Sequence, residues 1–102
     1  NFVFIVDYNK FQGFGAVNEV INQSNLEERV KTFGFDTLVI DSNNLDDLHK
    51  ALTYKSDKPI AIIANTVKGK GVSFMENKLE WHYKSPNDEQ LEAALAEIEE
   101  KY

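Results

Sequence analysis

Cysteine is absent from the chain. Disulfides, thiolate zinc sites and thiol redox chemistry are thereby excluded, and the composition fits a reducing compartment. No apolar run approaches the roughly 20 residues of a bilayer-crossing helix, and the amino terminus lacks a basic region followed by an apolar stretch and a cleavage site. A soluble, cytoplasmic protein with no membrane partner is the expectation. Basic residues are also in deficit, since 11 Lys and Arg face 17 Asp and Glu and leave a formal charge of −6. With no basic stripe, nucleic acid and anionic lipid are poor partners. Two glycine motifs are incomplete. Gly69-Lys70-Gly71 lacks the Gly-x-x-x-x-Gly-Lys-Ser/Thr order of a phosphate-binding loop, and Gly13-Phe14-Gly15 lacks the third glycine of a dinucleotide fingerprint. There is no internal repeat and no low-complexity linker. An initiator Met is missing too, although a strand-like run begins at residue 2, so a segment upstream of Asn1 is expected.

What is present is ordinary globular material, with 42% hydrophobic and 12% aromatic residues in 102. Such a chain makes about one small domain and can bury roughly 60 to 65% of its extended surface. Phe2 to Val6 is continuously apolar, the pattern of a strand covered on both faces in a parallel sheet. Gln12 to Gly15 reads as loop. Ser24-x-x-Glu27 has the spacing of a capping box, opening a helix with Leu26, Val30 and Phe33 on one face and Gly34 at its end. Phe35 to Ile40 is strand-like, Asp41 to Asn44 forms a turn with a helix cap, and Leu45, Leu48 and Leu52 recur at helical spacing. His49 falls on that stripe and is expected to be a satisfied boundary histidine. After Pro59, Ile60 to Thr66 is a further apolar strand. Ser85-Pro86 supplies a cap and first-turn proline for a last helix bearing Leu91, Ala94, Leu95 and Ile98. The alternation implies an α/β fold, three-layered, with a mostly parallel sheet and flanking helices.

Two loops follow strands and would lie at one sheet edge, where open α/β sheets bind ligands. Asp7-Tyr8-Asn9 offers hard oxygen donors suited to magnesium or calcium, and equally the side chains of an ordinary turn. Lys68-Gly69-Lys70-Gly71 offers two cations and backbone that a phosphate can approach, or else a solvated loop. A metal-bridged diphosphate satisfies both chemistries.

Read together, Phe2 to Gly15, Thr66 to Asn77 and Trp81-His82 resemble, in that order, the thiamine-diphosphate domain of transketolase in its split form, encoded as separate amino- and carboxyl-terminal subunits. The resemblance runs from Asn1 to about Glu97. It implies a partial thiamine-diphosphate-binding fold in which residues 1–102 form the carboxyl-terminal part of the cofactor-binding domain of the amino-terminal subunit. It further implies that Asn9 and the backbone carbonyl of Phe11 ligate magnesium, with Asp7 supporting them, and that Lys68 lies near the diphosphate. His82 would stand between diphosphate and substrate, a catalytic imidazole able to donate to phosphate or help move a proton. Tyr83 occupies a place where the family commonly has glycine, and Ser42-Asn43-Asn44 departs from the family's frequent Gly-His-Asp.

The implied activity is transfer of a two-carbon ketol unit from a ketose to an aldose, with thiamine diphosphate and magnesium as cofactors. The implied partners are a carboxyl-terminal transketolase subunit, the upstream segment with its Gly-Asp-Gly turn, a dimeric assembly and sugar substrates. Without them the isolated chain is expected to be inactive. Two other readings stay open: a noncatalytic α/β binding or assembly module, and a deoxyxylulose phosphate synthase relative.

Overall fold

The structure, a computed structural model, describes residues 2–101. Asn1, where the family resemblance starts, lies outside them.

The run Ile60-Ala-Ile-Ile-Ala carries no polar side chain on either face, so it is stable only where both faces and both edges are covered. It becomes the central strand, β5 (Ile60–Asn65), with Ile60 through Ala64 all buried. β1 (Val3–Tyr8) and β4 (Asp36–Asp41) flank it in the order β1-β5-β4, both parallel to it. Register is level: Tyr8 and Asp41 both face Asn65, so all three strands end together. The loops that follow them therefore leave from one edge.

Side chains alternate across the pleat. Ile60, Ile62 and Ala64 join Ile40 and Ala51 in the core, with Leu38 and Leu48 packed against them. That places α3 (Leu45–Thr53) on one face. α2 (Leu26–Thr32) covers the other, where Leu26 and Glu27 share a groove with Val39 and Ile63. The three-layer parallel α/β arrangement expected from sequence is thus present, in partial form. A short hairpin of β2 (Phe11–Gln12) and β3 (Gly15–Ala16) leads into α1 (Val17–Val20). A single 3₁₀ turn spans Leu79–His82, and α4 (Asp88–Lys101) ends the described chain.

Several local expectations need correction. β1 is an edge strand: Ile5 is 54% exposed, because no described residue covers the α3-side face of that strand. Residues 12–15 are a hairpin rather than plain loop. The Ser24 box does not form, because the Ser24 amide and hydroxyl both donate to Asn22 Oδ1, at 2.9 and 2.6 Å, and the helix starts after Asn25 with no side-chain cap. Phe33 lies past the last turn and is 80% exposed. On α3 only Leu48 of the leucine stripe meets the core; Leu45 is 78% exposed, and His49 is exposed rather than at a boundary. α4 is capped not by Ser85-Pro86 but reciprocally by Asn87 and Gln90. The Gln90 amide donates to Asn87 Oδ1 at 2.8 Å, and the Asn87 amide to Gln90 Oε1 at 3.1 Å. This is the capping-box logic with amide side chains in both roles.

Candidate functional site

Because the three strands end level, the segments after Tyr8, Asp41 and Asn65 enclose one polar crevice of about 410 Å³. Asp7, Asn9, Ser42, Asn43, Lys68 and Lys70 line it. It sits at the carboxyl edge of the parallel strands, the usual ligand position in open α/β sheets. The two loops singled out from sequence converge on it.

Each side chain is held by a definite partner. Asn9 Oδ1 accepts from the Phe11 amide at 2.9 Å, an Asx turn that fixes the carboxamide and leaves its second lone pair open. The Val17 amide donates to the Lys10 carbonyl at 2.8 Å. Phe11, paired with Ala16, is thereby a non-hydrogen-bonded position of the hairpin, and its carbonyl points away from β3, on the side where its amide meets Asn9. The Thr66 hydroxyl donates to the Asp7 carboxylate, tying β1 to β5 at the crevice floor. Ser42 donates to the Asn65 carbonyl through amide and hydroxyl, at 3.1 and 2.8 Å. Asp41 accepts from the Asn43 amide at 2.9 Å, and this bond, with the Asn43 carboxamide and nearby Lys70, holds its carboxyl below the ordinary range.

The lysines differ. Lys70 faces Glu76 at 3.9 Å, whereas half-buried Lys68 has no carboxylate partner within 4.0 Å among the described residues. Lys68 is the side chain left to balance a negative ligand. Gly69 does not serve close approach by a ligand: at φ 72° its absent Cβ would lie 2.7 Å from the Met75 carbonyl oxygen. Glycine there lets the loop fold back on itself, closed by the Asn77 amide donating to the Lys68 carbonyl at 2.9 Å.

Sequence reasoning missed Lys10. In the left-handed region at φ 68°, it reaches over the Tyr8 ring, Nζ 3.5 Å from the centroid, to donate to Asn65 Oδ1 at 2.8 Å. Desolvation lowers its amine below the ordinary value. A non-glycine residue with positive φ beside a candidate ligand is a clue visible only in three dimensions.

His82 stands apart from the crevice lining. The 3₁₀ turn that carries it is anchored by Trp81, whose indole donates to the Phe74 carbonyl at 3.0 Å and whose ring meets Phe74 edge-on. From there His82 reaches the β2–β3 turn: its Nε2 lies 3.5 Å from where a Cβ on Gly13 would stand. Among the described residues no group of three His, Cys, Asp or Glu could hold a metal. A cation at Asn9 would rest on amide and backbone oxygens plus the ligand's own.

Level parallel strands, helices on both faces and a cationic, oxygen-lined crevice at the carboxyl edge define an α/β ligand-binding sheet. No protein-family model matches the chain. It is 36% identical over 104 residues to a subunit of the apulose-4-phosphate transketolase of Phocaeicola vulgatus, covering 99% of this chain and 37% of that one. With the SqwG subunit of the 6-deoxy-6-sulfo-D-fructose transketolase of a Clostridium species it shares 38% over 98 residues, 93% of this chain and 36% of that one. The solved transketolase of Campylobacter jejuni superposes with a TM-score of 0.89 at 31% identity, over 97% of this chain and 16% of that one. The chain belongs to the transketolase family and matches the carboxyl-terminal part of one subunit of the split type. It spans little more than a third of the length of the two subunits.

Proposed function

We propose that this chain holds magnesium and the diphosphate of thiamine diphosphate in a transketolase-like enzyme that moves a two-carbon ketol unit from a ketose to an aldose. The convergence of Asn9 and unpaired Lys68 on one crevice carries this reading. Asn9 Oδ1 and the outward Phe11 carbonyl are the magnesium ligands from this chain, hard oxygens of the type that cation prefers. Asp7, bound to Thr66, braces the strand end behind them. Lys68 offsets diphosphate charge, and His82 is the imidazole that donates to phosphate or moves a proton at the substrate. When bound, thiamine diphosphate supplies the carbanion that attacks the ketose carbonyl.

The remaining groups come from elsewhere. Val3 and Ile5 on β1, and Leu91 and Leu95 on α4, are exposed in this chain. We infer that further domain-forming chain and a carboxyl-terminal transketolase subunit cover such faces in a dimeric assembly, and that residues 1–102 alone turn over no sugar. The names of the Phocaeicola and Clostridium relatives, each one subunit of a transketolase, support this reading.

The test replaces the matching segment of the Phocaeicola protein with this chain and titrates the chimera calorimetrically with thiamine diphosphate. Binding that requires magnesium and falls at least tenfold in Asn9→Ala, about the cost of one charge-assisted contact, is the expected result. Binding that is unchanged without magnesium or by the substitution overturns the assignment.

A further inference from the structure

Seventy residues apart in sequence, Tyr83 and Gly13 meet: the phenol donates to the Gly13 carbonyl at 2.7 Å. The same tyrosine stands edge-on to His82, ring centroids 4.8 Å apart at 86°. Gly13 is shaped to this contact. A Cβ there would lie 2.7 Å from the Tyr83 oxygen and 3.5 Å from His82 Nε2, too close for the phenol to keep its place. Gly13 also lies just two residues beyond Phe11, in the hairpin that the Asn9 side chain caps through the Phe11 amide. The hydroxyl, the imidazole and the hairpin turn thus form one mechanical unit, although Tyr83 is itself largely exposed and buries little apolar area. Neither Tyr83 nor Gly13 lines the crevice. Their contact joins the 3₁₀ turn to the metal-binding hairpin, with no role in filling a core.

We propose that Tyr83 is a positioning residue, which by bonding the Gly13 carbonyl docks His82 against the hairpin bearing Asn9 and Phe11, so that the imidazole and the metal site keep a fixed relation. This rests on the metal reading of Asn9 and Phe11 above. It adds a residue to the site that acts only through another, and it gives Gly13 a steric reason to lack a side chain.

The chain has just two histidines, His49 and His82, so its imidazole signals carry an internal reference, His49 being exposed on α3. Proton NMR of the full chain reads two quantities: the cross-relaxation between His82 Hδ2 and the Gly13 α protons, and paramagnetic broadening by manganese used as the probe for magnesium. In the unsubstituted chain the His82–Gly13 cross-peak is present, and manganese broadens His82 before His49. Tyr83→Phe keeps the ring and removes one hydrogen bond, so the docked-to-undocked ratio falls about two- to tenfold, weakening both signals while the Asn9 and Phe11 amides stay broadened. Gly13→Ala, reaching the same contact from the other side, has the same effect. A cross-peak and His82 broadening unchanged in both variants overturn the proposal. Asn9 and Phe11 amides untouched by manganese overturn the metal reading instead, and the cross-peak, which needs no metal, still decides the role of Tyr83.

Discussion

At the scale of single residues, the polar side chains near the strand ends satisfy backbone or one another, and few are left over. Asn44 is the clearest example of a side chain serving the fold. Its Oδ1 accepts from the amides of Asp46 and Asp47, at 3.0 and 3.3 Å, at the start of the helix that brings Leu48 and Ala51 to the core. Asn44→Ala leaves those donors to water and is expected to cost about 1 kcal/mol, read as a lower midpoint in urea at unchanged slope. An unchanged midpoint would show that α3 holds by packing alone. Asn9 makes the same kind of bond to Phe11 but faces the crevice. Sequence could not separate these two asparagines, since both follow a strand and both suit a turn. The difference lies in what surrounds them: Asn44 precedes a helix, while Asn9 sits across the crevice from an unpaired lysine.

At the scale of elements, α4 is joined to the loop after β5 by polar contacts. Glu97 accepts from the Ser73 amide and hydroxyl, both at 2.6 Å, and Lys101 donates to the Gly71 carbonyl at 3.0 Å. The Ser73 hydroxyl, then its amide, then Lys101 depress the Glu97 carboxyl below its ordinary 4.5. A depressed carboxyl stabilises the folded form at pH above the unfolded value and loses that contribution as the pH falls through the folded one. Below pH 4.5 the Ser73 amide is therefore expected to lose hydrogen-exchange protection, and Ser73→Ala to show the loss already at neutral pH. Protection independent of pH in this range would mean that the docking rests on Val72 and Ala94, the buried pair of that region. Strands and helices were legible where apolar periodicity had one explanation: β4, β5, α3 and the body of α2 lie where their patterns put them. Legibility failed where another local bond competed. Ser24 turned to Asn22, Asn87 and Gln90 capped each other ahead of Ser85, and the hairpin at Phe11 to Ala16 is too short to show any period. The carboxyl-edge loops were legible as candidates because they follow strands. Lys10 and Tyr83 were not, because their partners Asn65 and Gly13 lie 55 and 70 residues away.

At the scale of the whole molecule, the chain is a slab of 50 × 32 × 18 Å with a Cα radius of gyration of 16.3 Å. A self-contained domain of this length has a radius near 13 Å. Its accessible surface is 7345 Å², against roughly 5,900 Å² for a compact monomer of the same mass. The excess falls partly on apolar side chains such as Val3, Ile5, Leu52 and Leu95. Burial of roughly 57% of the extended surface is below the 60 to 65% that length alone suggests, and the missing fraction is what a larger assembly would cover. Small-angle scattering extrapolated to infinite dilution is expected to give a radius closer to 16 than to 13 Å; the smaller value would mean that the chain closes on its own apolar faces. The strand order carries one more consequence. Both outer strands hydrogen-bond only to β5, which is last of the three in the chain. A ribosome that has released β1 and β4 has made two strands with no partner for either, and neither can pair until residue 60 emerges. Sheet formation is then a single late event that closes a loop of more than fifty residues, from Val3 to Ile60. Such long-range pairing is slow, and until it occurs the nascent chain offers its unpaired strands to chaperones and to its neighbours alike.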